Sequence, residues 1–235
     1  MKVLGTFEKA KRYIDSKTKY PGARVKYNTG PCITLSREAG AGSGLIAERI
    51  VDFLQPRSKD PETNWGIFDK NLIQKVLEDH NLPKQIEKFM GEEKPPFFQQ
   101  VMNEIFGVHP PLLTLHHKTT ETIYELGSIG NVIIIGRGAN IITASLSNAF
   151  HVRLVAPLEI RIKNVQDFYE NTKQEAIEFI KKEDVKRAKF IKEHFNKNAE
   201  DPQLYHLIIN TGWVSIEETA EIISDAVVTK FPNFF

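Results

Sequence analysis

Apolar residues in this chain come in two patterns: short runs, and longer stretches where they recur every three or four positions. Ile33–Thr34–Leu35, Ile67–Phe68, Val132–Ile133–Ile134–Ile135, the FHVRLV segment at 150–155 and Leu207–Ile208–Ile209 have the length and β-branching of strands. The run at 132–135 has no polar alternation and reads as a central parallel strand buried on both faces. Helical spacing fills the intervals. Leu45, Ile46 and Ile50 lie on one face of a helix that reaches about Leu54. Asp69 is placed to cap a helix displaying Leu72, Ile73, Val76 and Leu77. A helix over 112–127 is expected to stop at Gly127, and charged helical patterning fills 158–196. Ser215 and Glu218 make a capping box for a last helix reaching about Lys230.

Five strands separated mostly by helices predict a three-layer α/β fold, a five-stranded parallel sheet with helices on both faces. Right-handed crossovers then gather the loops that follow the strands along one edge of the sheet. Ahead of this lies a first helix with Leu4, Phe7, Ala10, Tyr13 and Ile14 at helical spacing, ended by Pro21–Gly22 and read as an appendage. The segment 55–64 reads as a polar loop, and 83–111 as irregular, with Pro95–Pro96 and Pro110–Pro111 punctuating short helices.

Composition narrows the class. With 235 residues, 41% apolar and 26% charged, the chain suits one large domain with a proper core. A net charge of +1 argues against a dedicated nucleic-acid binder. No run of 18 apolar residues is present, and the first residues lack a signal-peptide core, so neither a membrane span nor a leader is expected. Cys32 is the single cysteine; it excludes an internal disulfide, fits a reducing cytoplasm and reads as a packed thiol.

The chemistry concentrates in Ser36–Arg37–Glu38–Ala39–Gly40–Ala41–Gly42–Ser43–Gly44, between the first strand and its helix. A strand, a glycine-rich turn and a helix point the first free amides of the helix into one concavity that suits a phosphate. Yet the phosphate-loop pattern asks for Gly-Lys-Ser/Thr at its end. Ser43 and Gly44 stand there in one register, Leu45 and Ile46 in the next. The architecture is present and the lysine is missing. Arg137, flanked by Gly136 and Gly138 after a buried strand, reads as functional. Arg153 and Arg161 lie along the expected active edge and read as solvated or paired with Glu159 and its neighbours, the alternative being that the Arg161 fork, in the helix after the fourth strand, meets a phosphate bidentately. The basic segment 181–197 is read as a lid over phosphates rather than a merely solvated helix face. Phe97–Phe98 read as core of an insertion, and the histidines show no metal-ligand spacing.

The motifs ITLSREAGAGSGLIAERI, FDKNLIQKV, GNVIIIGRGANII, RLVAPLEIRI and DVKRAKF…DPQLYHLIINT, taken in order over about residues 30–230, resemble the bacterial cytidylate kinase-like family, a branch of the nucleoside monophosphate kinases. The resemblance implies a P-loop kinase-type fold with a helical insertion at about 70–127 and a helical lid at about 158–197, in a domain spanning 29–235 behind a helical extension at 1–28. It implies that 36–44 holds ATP phosphates, that Asp69 and Arg137 bind the acceptor, and that Asp184 and Arg187 form the lid's Asp-x-x-Arg. Gly138 stands where that family's Gly-Arg-Asp motif has its aspartate, so cytosine selection does not carry over. If the chain is a kinase, Arg37 and Arg187 are the catalytic candidates to replace the lysine. Ser43 is then the candidate magnesium ligand, with ATP and Mg2+ as cofactors and (d)CMP-like nucleotides as acceptors. The alternatives are a nucleotide- or phosphate-binding protein with a degenerate loop, and a kinase for another small molecule. Oligomeric state is not legible.

Overall fold

The β-branched runs form the sheet. In the computed structural model, which describes Tyr13, residues 30–59, 64–69 and 115–235, β1 is Cys32–Arg37, β2 Gly66–Phe68, β3 Val132–Ile135, β4 Ala149–Val155 and β5 Leu207–Asn210. The sheet order is β2-β3-β1-β4-β5 and every pairing is parallel, with Ile33 opposite Ile133 on one side and Phe150 on the other. β1 is central, with β3 and β4 on either side. The crevice beyond its carboxyl end is therefore the topological switch point, where open α/β sheets bind ligands.

Six α-helices complete the described fold: α1 Ser43–Leu54, α2 Leu115–Ile129, α3 Ala139–Ile142, α4 Leu158–Tyr169, α5 Lys173–Phe195 and α6 Ile216–Lys230. One face of the sheet buries Ile33, Leu35, Ile133 and Val152 against Ile46 and Ile50 of α1 and Ile223 and Val227 of α6. The other buries Cys32, Val132 and Ile134 against Ile123 and Leu126 of α2 and Ile142 of α3, with Tyr13 and Phe68. Strands buried on both faces need no polar alternation, which is why they read as continuous runs. Cys32 is fully buried; burial pushes its thiol up to about 12, partly offset by a hydrogen bond with Thr143. It is a packing residue.

Several expectations need correction. α2 runs past Gly127 to Ile129. A Cβ at Gly127 would sit 2.9 Å from Thr143 and 3.2 Å from the Cys32 sulfur, so this glycine allows close helix–sheet packing. The chain turns instead at Gly130, φ +87°, followed by Asn131, φ +55°. The helical patterning expected over 158–196 is present and divides into two helices, because Thr172 and Glu175 form a capping box that starts α5 afresh. A 3-10 turn at Gln55–Arg57 continues α1 into the segment expected to be loop. The expected helix over 4–14 apart from Tyr13, the helix after Asp69, the irregular segment 83–111 with Phe97–Phe98, and most of the insertion lie outside the described residues. Tyr13 itself is helical, buried in the core and donates to the Gly130 carbonyl, so at that point the segment read as an appendage is part of the main core.

Candidate functional site

The loop leaving β1 is built by backbone geometry that only small residues tolerate. Gly40 and Gly42 have φ of +83° and +79°, and Gly42 is the N-cap of α1 without a side-chain cap. Among the described residues, no acceptor takes the amides of Gly40, Gly42, Ser43 or Gly44. The first turn of α1 also carries no acidic residue. That combination leaves uncommitted donors at the positive end of a helix.

The flanks of the loop are tightly held. The Ala156 amide donates to Glu38 Oε2 at 2.9 Å, and Asn164 Nδ2 donates to the Gly40 carbonyl at 2.8 Å. Thr211 Oγ1 donates to the Ala41 carbonyl at 3.3 Å. A Cβ at Gly40 would lie 2.6 Å from the Arg161 carbonyl, so the first turn of α4 sits directly against the loop. The Ala39 amide donates to Asp184 Oδ1 at 2.7 Å, and Arg161 Nη1 donates to Asp184 Oδ2 at 2.5 Å and to the Ala39 carbonyl at 3.4 Å.

Beside the loop, on the α3 side of the sheet, lies a cleft of about 290 Å³. Arg37, Arg137, Arg153, Lys186 and Arg187 line it, with Tyr205, Phe190 and the carboxylate of Glu183. Three consecutive residues with positive φ, Gly136, Arg137 and Gly138, form the turn after β3. A Cβ at Gly136 would fall 1.9 Å from Arg37 Nη1, so the glycine makes room for that guanidinium. The Arg137 guanidinium lies over the Phe190 ring at 5.5 Å, and that of Arg153 over Tyr205 at 5.7 Å. Ser36 Oγ donates to Asn140 Oδ1 at 3.3 Å on the floor of the cleft.

The electrostatics are strained toward positive. Burial, then the nearby Arg187, pulls Arg37 down to about 10 against the opposing pull of Asp69 and Glu183, with Arg137 adding to the lowering. Burial also lowers Arg137 and Arg187. Arg187 has Glu183 and Asp184 at 3.8 and 3.7 Å. Among the described residues, neither Arg37 nor Arg137 has a carboxylate within ion-pair distance. Like charges drawn together in a partly desolvated cleft are tolerated where an anion neutralises them.

Of the residues expected from the sequence, Ser36, Arg37, Arg137 and Arg187 converge on the cleft, with Asp69 close enough to act on Arg37. Ser43 and Gly44 stand at the start of α1. Asp184 bridges to the loop. Arg37 and Arg187 do not reach the loop amides; they belong to the cleft. Two arginines read as solvated or paired with Glu159 and its neighbours have other partners or places. Arg161, its side chain 12% exposed, pairs with Asp184 and lies 3.6 Å from Glu38 Oε2, and Arg153 lines the cleft. For Arg153 a signal existed, because it lies directly opposite Ser36 in the parallel register. For Arg161 the signal was its place in the helix after the fourth strand, while its partners, which come from the loop and from a different helix, were not legible. Tyr205 and Asn140 were likewise not singled out. Among the described residues no three metal-ligating side chains cluster, and no helix is long and apolar enough to cross a membrane.

Comparison with known proteins agrees with this architecture. The chain is 30% identical over 105 residues to a cytidylate kinase from Staphylothermus marinus, covering 44% of this chain and 58% of that protein. It is 24% identical over 115 residues to a uronate isomerase from Corynebacterium glutamicum, 49% of this chain and 22% of that enzyme. The chain thus spans less than two thirds of either relative's length. An uncharacterized protein from Eubacterium ventriosum superposes with a TM-score of 0.66 at 19% identity, over 85% of this chain and 98% of the other, which shows a shared fold. Residues 32–212 match the cytidylate kinase-like family, and the chain belongs to it.

Proposed function

We propose that this protein is a nucleoside monophosphate kinase that transfers the γ-phosphate of ATP to a (d)CMP-like acceptor. The observation that carries the reading is the convergence of Arg37, Arg137 and Arg187 on a cleft beside a loop whose amides are uncommitted. Such a site suits two polyanions meeting end to end. The loop amides receive the donor phosphates, and Arg37 and Arg137 neutralise the acceptor phosphate. An acceptor phosphate oxygen then attacks the γ-phosphorus as its bond to the ADP oxygen breaks. Arg187, tied to Glu183 on the cleft side and Asp184 on the loop side, lies between the two and can follow the charge as it moves.

No described cluster forms a metal cage, so magnesium fits here as an ion carried on the triphosphate, with the Ser43 hydroxyl at the start of α1 as the loop's contribution. When bound, it would neutralise phosphate charge. We read residues 29–235 as the catalytic unit, 1–28 as an extension, 158–197 as its lid and a reducing cytoplasm as its setting. A second reading, a nucleotide-binding protein with little turnover, is favoured by Ser43 and Gly44 standing where lysine and a hydroxyl residue belong.

The test is ATP-dependent phosphorylation across the common monophosphates, with binding followed in parallel. Trp213, 83% exposed on the segment that Thr211 ties to the loop, offers a fluorescence reporter distinct from the buried Trp65. Turnover with a pyrimidine monophosphate is expected, falling on the order of hundredfold in Arg37→Ala. Nucleotide binding with no turnover for any acceptor would leave the binding-protein reading in its place.

A further inference from the structure

The loop has no lysine, and the cation that reaches its backbone is Arg161. Its Nη1 contacts the Ala39 carbonyl and Asp184 Oδ2, while the other oxygen of Asp184 accepts from the Ala39 amide. One carboxylate is therefore held by a loop amide and a guanidinium, the pair of donors that a phosphate oxygen takes in a nucleotide site. The carboxylate takes one loop amide, while those of Gly40, Gly42, Ser43 and Gly44 remain without an acceptor among the described residues.

Two further details point to a ligand. Arg161 Nε, 3.6 Å from Glu38 Oε2, and Arg187 Nη1, 3.7 Å from Asp184 Oδ1, are buried within ion-pair range of a carboxylate and make no hydrogen bond, so both keep donor capacity to spare. Asp184 also has somewhere to go, because Arg187 lies one turn along α5 with Nη1 at 3.7 Å from Oδ1. Arg161 itself cannot withdraw: the contact at Gly40 and the Asn164 hydrogen bond fix α4 against the loop.

We propose that Arg161 supplies the phosphate-binding charge that this loop lacks, and that Asp184 is its positioning residue, a carboxylate that occupies the phosphate's donors until the nucleotide displaces it. This rests on reading the loop as a triphosphate site. Displacement moves the carboxylate onto Arg187 and leaves the Ala39 amide and the Arg161 fork to the phosphate. A phosphate brings more charge and more acceptor oxygens than the carboxylate, and so uses the donors that the carboxylate leaves idle.

The experiment is calorimetric titration of the full chain with ATP, with tripolyphosphate and with CMP, for wild type, Arg161→Gln, Arg161→Lys and Asp184→Asn, with thermal melts as a check of folding. Arg161→Gln is expected to weaken ATP and tripolyphosphate at least about tenfold while CMP stays within about twofold, with partial recovery in Arg161→Lys. Asp184→Asn keeps the shape and removes the competing charge, so it is expected to tighten tripolyphosphate several-fold, whereas loss of a mere buttress would weaken it. Unchanged or weaker tripolyphosphate binding in a folded Asp184→Asn overturns the displacement. Wild-type ATP affinity in a folded Arg161→Gln overturns the role of the arginine, and if that variant does not fold, wild-type affinity in Arg161→Ala or none of the expected tightening in Asp184→Asn does so. Wild type that binds CMP but neither ATP nor tripolyphosphate overturns this proposal and leaves the acceptor cleft standing. Binding of none of the three removes the kinase reading as well.

Discussion

Two glycines at the site carry opposite predictions, because what surrounds each differs. Gly136 has φ +80° and an added Cβ would lie 1.9 Å from Arg37 Nη1. Gly136→Ala must therefore strain the backbone, by about 1–3 kcal/mol, and push the guanidinium out of place. The expected result is a lower melting point together with weakened CMP binding and retained ATP binding, read by titration. Gly44 lies inside α1 with nothing within 4 Å of an added Cβ. Gly44→Ala should raise stability by about 0.4–1 kcal/mol in a denaturant melt, since it restricts the unfolded chain at no steric cost. A destabilised Gly44→Ala would mean that this turn of α1 is not the regular helix described.

At the scale of elements, the α4–α5 hairpin carries a small core of its own, while Phe195 at the end of α5 packs against the main core. The buried residues Ile162, Val165, Ala176 and Ile180 form the small core, and the residue of the main fold packed into it is Ala39 of the loop. Ile180→Ala should cost about 2–4 kcal/mol of local packing. Amide exchange should then quicken in 158–195 while 32–37 and 132–135 keep their protection, and equal loss in both would show that the hairpin is no separate unit. This arrangement also explains what the amino-acid order could tell. β3 was legible because burial on both faces leaves an uninterrupted apolar run, and the capping box at Ser215 and Glu218 was legible because it is local. The break at Thr172 is just as local but hid inside charged helical patterning on both sides. That Arg37, Arg137 and Arg187 gather on one edge was readable from their places after strands and in the basic segment 181–197. The pairing of Arg161 with Asp184 was not, since it joins two helices and a loop whose approach depends on how they pack.

For the whole molecule, the most direct consequence of packing is a stability that falls in acid. His151 of β4 is buried opposite Thr34 of β1, whose hydroxyl lies 2.9 Å from His151 Nδ1. Its own amide donates to His206 Nδ1 at 2.9 Å, so His206 also serves with a nitrogen that carries no proton. Burial, then His206 and Lys230, pulls His151 down to about 4 from the usual 6.5, and burial and Lys230 lower His206 as well. The unfolded chain thus binds a proton on His151 below about pH 6.5 that the folded chain refuses until about pH 4. Stability therefore falls as pH drops through that window, by up to about 3 kcal/mol for this group. Above pH 7 the group is neutral in both states and contributes no slope. Urea melts between pH 7.5 and 4.5 should show this loss, and His151→Gln, which keeps an acceptor for Thr34 without titrating, should flatten it by close to one proton. An unchanged slope in a folded His151→Gln would place the acid sensitivity elsewhere in the chain.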